Sequence, residues 1–283
     1  MATSGAEVLR DIGTLAAGFS GTLGLWARSL DSGEVIEWRA TEAFPAASTI
    51  KLPILYEVFR QAGAGRFGLA ETRTLAAGDQ VGGSGILKDL TPGITLTIKD
   101  LATLMIVVSD NTATNMLIDL VGLEAVNASC ERLGLAGTRL EFPMQRAPQD
   151  APSMNRSTPA DLGRLMTLIA RREVLTPRAC DDMLAILDRQ HFTDNITRRL
   201  AEFDGYLEQG MPPAIVVGSK SGSIRGTRND VGYVRAHGRR YVIAMMSKGC
   251  TDRRFYQDNE ASVLLPKVSA AVYRHFVGEA AGG

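Results

Sequence analysis

The chain has 283 residues, 45% of them hydrophobic, with 31 basic and 31 acidic residues and a formal net charge of zero. That is enough chain to bury one large core or two coupled lobes. The balanced charge and an aromatic content of only 6% argue against a nucleic-acid surface, and no basic run or long apolar stretch points to a membrane. A monomer acting on a small molecule, with no nucleic-acid or membrane partner, is the expectation.

The opening residues, MATSGAEVLRDIG, carry Glu7 and Asp11 where a secretory leader would carry basic residues. They predict an amphipathic helix over 5–18, and the expected location is the cytoplasm, or export with a leader already removed. TLGLWARSL and VIEWR flank Asp31-Ser32-Gly33-Glu34 and predict a hairpin. From about 46 to 200 the pattern is helical. Thr97 with Asp100 is a capping box ahead of LATLMIVV. Thr158-Pro159 with Asp161, and later Thr176-Pro177, each combine an N-cap with a proline at the first helical position. After about 210 the runs AIVVGSK, DVGYVRA and YVIAMMS predict three strands, with His237-Gly238 in the last turn, and 259–276 predicts a helix. Strands at both ends and helices between them imply an α/β fold of the α+β kind. Its sheet lobe comes from residues 1–45 and 205–283, and an all-helical lobe, 46–204, is inserted.

Cys130, Cys180 and Cys250 are odd in number and widely spaced, and His191, His237 and His275 are scattered. Free buried thiols are therefore expected, with no zinc site and no cofactor.

Three short patterns carry chemistry. Ser48 and Lys51 stand one turn apart at a helix start, on one face. A serine hydroxyl needs a base, and a lysine amine serves only if burial or nearby positive charge lowers its pKa. Pro53 falls just beyond and predicts a tightened or kinked first turn. Ser109-Asp110-Asn111 follows an apolar helix over 98–108. Ser109 can pass a proton there and Asn111 can bind an amide, although all three residue types also suit an ordinary cap. Lys220-Ser221-Gly222-Ser223 ends a strand. Lys220 can set the local field, Gly222 admits a ligand backbone, and the Ser223 amide can donate to an oxyanion.

Each pattern alone is weak; their joint occurrence in this order is specific. With FPAASTIK, SDNTATN and KSGSIRGTR, the chain resembles the class A β-lactamases and their penicillin-binding-protein relatives along nearly its whole length. The resemblance implies an antiparallel sheet flanked by helices. It also implies that Ser48 is acylated, Lys51 is its partner and Ser109 relays the proton. Lys220 and Ser221 would bind a substrate carboxylate, the amides of Ser48 and Ser223 would form the oxyanion hole, and Arg228 would be a carboxylate-binding arginine, with Arg225 competing for that role. Such a family needs a helix and two strands before its serine, which leaves no room for a leader.

The chain departs from the family in one loop. Class A enzymes carry a glutamate there, as ExxLN, to hold the water that releases the acyl-enzyme. Here the stretch is EFPMQRAPQDAPSMNRS, and counting from Arg139-Leu140 puts Met144 in that slot. Methionine cannot take a proton from water. Gln145 is the nearest polar residue, and Glu141 and Asp150 are the acids that could substitute. The arginine–aspartate brace of the loop is also missing. The expected activity is opening of β-lactam or related amide or ester bonds with slow deacylation. A D,D-peptidase, an intracellular esterase or amidase, and a covalent β-lactam sensor are the alternatives.

Overall fold

The structure, a computed structural model, describes residues 4–148, 154–200, 202–203 and 213–278. Helix α1 (Gly5–Ala17) starts on Ser4, whose side chain accepts from the Glu7 amide, and it buries Val8 and Ile12. The hairpin follows as β1 (Thr22–Ser29) and β2 (Val35–Trp38), paired antiparallel. After β3 (Phe44–Pro45), a 3-10 turn over Ala47–Ile50 runs into α2 (Lys51–Gly63). That tight turn is the form taken by the distortion expected from Pro53. It places the proline in the first turn of α2, where backbone donors are least engaged.

Strands β4 (Thr72–Thr74) and β5 (Thr95–Thr97) form a small ribbon. Helix α3 (Ile98–Val107) opens with the reciprocal capping box of Thr97 and Asp100. Next come α4 (Asn111–Val121) and α5 (Leu123–Arg132), then β6 (Arg156–Ser157), which pairs with β3. Helices α6 (Pro159–Ala170) and α7 (Pro177–Leu187) both begin with a threonine cap and a proline. The chain then forms β7 (Ile215–Ile224), β8 (Thr227–Ala236), β9 (Arg239–Lys248) and α8 (Glu260–Phe276).

The five-stranded sheet has the order β2-β1-β9-β8-β7, and every pair in it is antiparallel. Strand alternation divides the core in two. Val242, Ala244 and Met246 of β9 face helices α2–α7, while Tyr241, Ile243 and Met245 face α1 and α8. The expected junction at 204–205 lies outside the described residues. All three cysteines are free and buried.

One buried side chain ties the sheet to the start of α2. Asn229 of β8, fully buried, donates from Nδ2 to the carbonyls of Pro45 (2.8 Å) and Ala46 (3.0 Å) and accepts from the Ser247 amide (3.1 Å). Replacing it by alanine removes this partner from the Pro45 carbonyl and the Ser247 amide, at about 1–3 kcal/mol for each unmade bond, while the Ala46 carbonyl still accepts from Thr49. Asn229→Ala should therefore lower stability by about 2 kcal/mol or more, read from urea unfolding with an unchanged m-value.

Candidate active site

Strand β7 is an edge of the sheet and lies against the 3-10 turn that carries Ser48. The approach is close enough to require glycine: a Cβ on Gly222 would stand 2.8 Å from the Ser48 nitrogen and 2.9 Å from that of Thr49. Ala47, immediately before Ser48, is held at φ +47, a sparsely populated region for a residue with a side chain. Ser48 lies at the join of two clefts. The smaller, about 220 Å³, is polar and is reached by Ser109, Ser221, Ser223, Asn195, Arg198 and Arg228. The larger, about 490 Å³, is walled by Phe142, Pro143, Met144, Met154, Ile224 and Phe255.

Lys51 is fully buried. Its Nζ lies 2.7 Å from the Ser109 carbonyl, 3.0 Å from Ser109 Oγ and 2.9 Å from Asn111 Oδ1. Burial and then the positive charge of Lys220 hold its pKa well below that of an ordinary lysine, against the opposing charge of Asp110. A neutral amine satisfies all these partners: it donates to the Ser109 carbonyl and Asn111 Oδ1 and accepts from the Ser109 hydroxyl. Among the described residues the Lys51 amine makes no hydrogen bond to the Ser48 hydroxyl; the two residues are joined through the backbone, where the Lys51 N–H donates to the Ser48 carbonyl.

Ser109 and Asn111 reach Lys51 because the chain breaks between α3 and α4. Ser109 is at φ +55, and Asp110 caps α4 by accepting from the Ala113 amide at 2.9 Å. The other carboxylate oxygen of Asp110 accepts from the Ile86 (2.7 Å) and Leu87 (2.8 Å) amides. Asn111 is less available to a ligand than expected, because its Nδ2 donates to the Gly82 carbonyl at 3.0 Å.

Lys220 is fully buried and donates to the Ser221 carbonyl at 2.7 Å; burial pushes its pKa down. Arg228 lines the polar cleft, but three of its five N–H donors are taken, by the carbonyls of Ile224, Thr227 and Arg254. Its guanidinium lies 4.9 Å from the Phe255 ring centre. Arg225 is exposed and borders the apolar cleft instead.

Met144 reaches the apolar cleft beside Ser48, and its backbone is gripped by Asn115, which donates to its carbonyl at 2.9 Å and accepts from its amide at 2.7 Å. Glu141 pairs with Arg156 and, at 3.4 Å, with Arg139; it does not line either cleft. Asp150 lies outside the described residues. Asn155 supplies a further brace, accepting from the amides of Glu141 (2.7 Å) and Phe142 (3.0 Å) and donating to the Phe142 carbonyl (3.0 Å).

Sequence reasoning missed the loop over 80–87. Ser84 lines both clefts, and its carbonyl accepts from the Asn111 amide at 3.0 Å. Gly85 sits at φ +106, packed so closely on Asp110 that a Cβ would fall 2.3 Å from its carboxylate. The run Gly82-Gly83-Ser84-Gly85 was the available signal, because glycine clusters mark close backbone approach. Also missed were the exposed aromatics Phe192, Phe255 and Tyr256 at the mouth of the polar cleft.

The family described as "Beta-lactamase enzyme family" matches residues 7–276. A β-lactamase of Streptomyces lavendulae is 30% identical over 234 residues, which cover 80% of this chain and 73% of the relative. The crystal structure of a β-lactamase from Sphaerobacter thermophilus is 31% identical with a TM-score of 0.84, covering 96% of this chain and 97% of that one. PBP-A is 33% identical with a TM-score of 0.81, covering 94% of both chains. A leucine-to-glutamate variant of PBP-A has been seen as an acyl-enzyme complex with penicillin G. Continuous similarity of sequence and fold, around a serine that adjoins a buried lysine and a helix break, makes the chain a serine hydrolase belonging to the β-lactamase enzyme family.

Proposed function

We propose that the protein opens β-lactam or related amide and ester bonds through an acyl-enzyme on Ser48, and that it releases the acyl group slowly. The reading rests on one observation: a fully buried Lys51 amine is held by Ser109 and Asn111 beside an accessible serine.

In the proposed acylation, Lys51 in its neutral form takes the Ser48 proton as the hydroxyl attacks the carbonyl carbon. The amides of Ser48 and Ser223 receive the oxyanion. The Ser109 hydroxyl, 3.0 Å from Lys51, then hands its proton to the departing nitrogen or oxygen and takes one from the Lys51 ammonium, which returns to the neutral amine. Ser221 and Arg228 line the polar cleft, with Lys220 buried next to Ser221, and a substrate carboxylate would bind there. Arg228 still has two donors for it, one on Nε and one on Nη2.

Deacylation needs a second base that activates water. Among the described residues lining the apolar cleft none carries a carboxylate, and Glu141 is held by two arginines. The likeness to PBP-A, whose leucine-to-glutamate variant forms an acyl-enzyme with penicillin G, supports a reading in which Ser48 is acylated.

Time-resolved intact-mass spectrometry with a penicillin tests both halves. The wild type should gain one acyl group on Ser48 in a rapid burst and lose it slowly, and Ser48→Ala should gain none. Labelling of the alanine variant at another serine would refute the nucleophile, and fast turnover without a burst would refute slow release.

Lys51→Ala should slow acylation by about 10²–10⁴-fold in a folded protein. Because burial favours the neutral amine, the wild-type acylation rate should climb with pH through a midpoint well below the range of an ordinary lysine. Met144→Glu should shorten the life of the acyl-enzyme, with a gain of up to about 10²-fold if the new carboxylate holds a water.

Arg228→Ala should raise KM for carboxylate-bearing substrates more than for neutral esters, because only the former lose a charge-assisted pair. Equal losses would mark a purely structural arginine, and a selective loss in Arg225→Ala would move the role there.

A further inference from the structure

Behind the site lies a buried acid that the proposed chemistry does not use. Asp230 of β8 is 1% exposed, and it is the register partner of Ser221, one position along from Lys220. Neither of its carboxylate oxygens makes a well-formed hydrogen bond. The Ser219 side chain and the backbone at Ile196 and Val231 lie near enough to favour the anion only in part, and burial dominates, pushing its pKa up. An isolated buried carboxylate is costly, and such an orphan in a native interior calls for an explanation.

The explanation is electrostatic. The positive charge whose field reaches Asp230 is Lys220, and Asp230 is the anion whose field favours the charged form of Lys220. Several of the other charged groups on the elements packed around this pair are engaged elsewhere, while Asp194, two residues before Ile196, lines the polar cleft. Asp188 at the end of α7 accepts from Tyr233 at 2.5 Å, and Asp110 at the start of α4 holds three backbone amides. Arg228 on β8 donates to backbone carbonyls, as does Arg198 beside Ile196. Glu260 of α8 binds Ser20. Lys51, on the other side of Lys220, feels its charge. Asp110, Lys51, Lys220 and Asp230 thus form a buried series in which two mutually repelling lysines are flanked by two carboxylates.

We propose that Asp230 is a positioning residue that keeps Lys220 charged from behind the sheet edge, and through Lys220 keeps Lys51 neutral. It touches no substrate. Its charge serves two ends: Lys220 stays a cation for a substrate carboxylate, and Lys51, repelled by that cation, stays a base. The inference rests on the acyl-enzyme reading above.

The test is Asp230→Asn, which keeps shape and removes charge. Without the anion Lys220 loses its proton more readily, so KM for a carboxylate-bearing β-lactam should rise about tenfold or more while KM for a neutral ester holds. A neutral Lys220 no longer repels a proton from Lys51, so Lys51 becomes a stronger base. The rising limb of ester acylation against pH should then move upward by about one unit. A variant with a lowered melting temperature but wild-type KM ratio and pH limb would overturn the proposal and leave Asp230 a structural residue. If Asp230→Asn does not fold, carboxyl-carbon NMR of Asp230 decides. Its titration midpoint should rise on Lys220→Met, and an unmoved midpoint overturns the coupling. Failure of every probe to acylate Ser48 would refute the hydrolase reading itself, while the NMR titration would still judge the pair.

Discussion

The constraint on which the site depends is that a lysine amine must be taken out of water without being abandoned. Lys51 is fully buried, and its Nζ is met by three oxygens within 3.0 Å. Two of those oxygens belong to Ser109, whose backbone is bent into the left-handed region, and the third to Asn111, which opens the next helix. The break between α3 and α4 is therefore more than a corner in a helical lobe. It presents a main-chain carbonyl, a hydroxyl and an amide oxygen to one nitrogen, and Asp110 fixes that geometry by capping α4 and gripping the loop over 86–87.

Around that amine the structure keeps two environments apart. The cleft toward Ser109, Ser221 and Arg228 is polar, and the cleft toward Met144, Met154 and Phe142 is apolar. Ser48 and Phe255 border both. In the proposed chemistry the two halves of a catalytic cycle draw on different walls of the site, so the barrier to forming an acyl-enzyme and the barrier to breaking it can change independently. A methionine on one wall leaves the other untouched.

Much of this was legible in the sequence, because the features that define the fold are local. Thr97 with Asp100, Thr158 with Pro159, and Thr176 with Pro177 each mark a helix start by chemistry confined to a few residues, and each sits at the start observed. The strands β7–β9 were readable from β-branched runs. What escaped was long-range. Nothing near Asn111 in the chain reveals that Gly82 would occupy its amide, and nothing near Arg228 shows that the Arg254 carbonyl would claim one of its donors. The loop brace was sought as an arginine–aspartate pair. Instead Arg156 and Arg139 pair with Glu141, and Asn155 bonds the backbone of 141–142. Asp230 read as one polar residue in a strand, because its isolation exists only once β7 and β8 are side by side.

The grip of Asn115 on Met144 has a consequence for how such a protein can change over generations. Both contacts are to the main chain, so the side chain at that position bears none of the holding. The place is kept and its occupant is exchangeable, like a socket whose fitting does not depend on the bulb. A lineage can therefore swap the group that shares a cleft with Ser48 without rebuilding the loop that presents it. An enzyme that lets go and a protein that holds on can then be near neighbours in sequence space, separated by a residue the scaffold does not need to recognise.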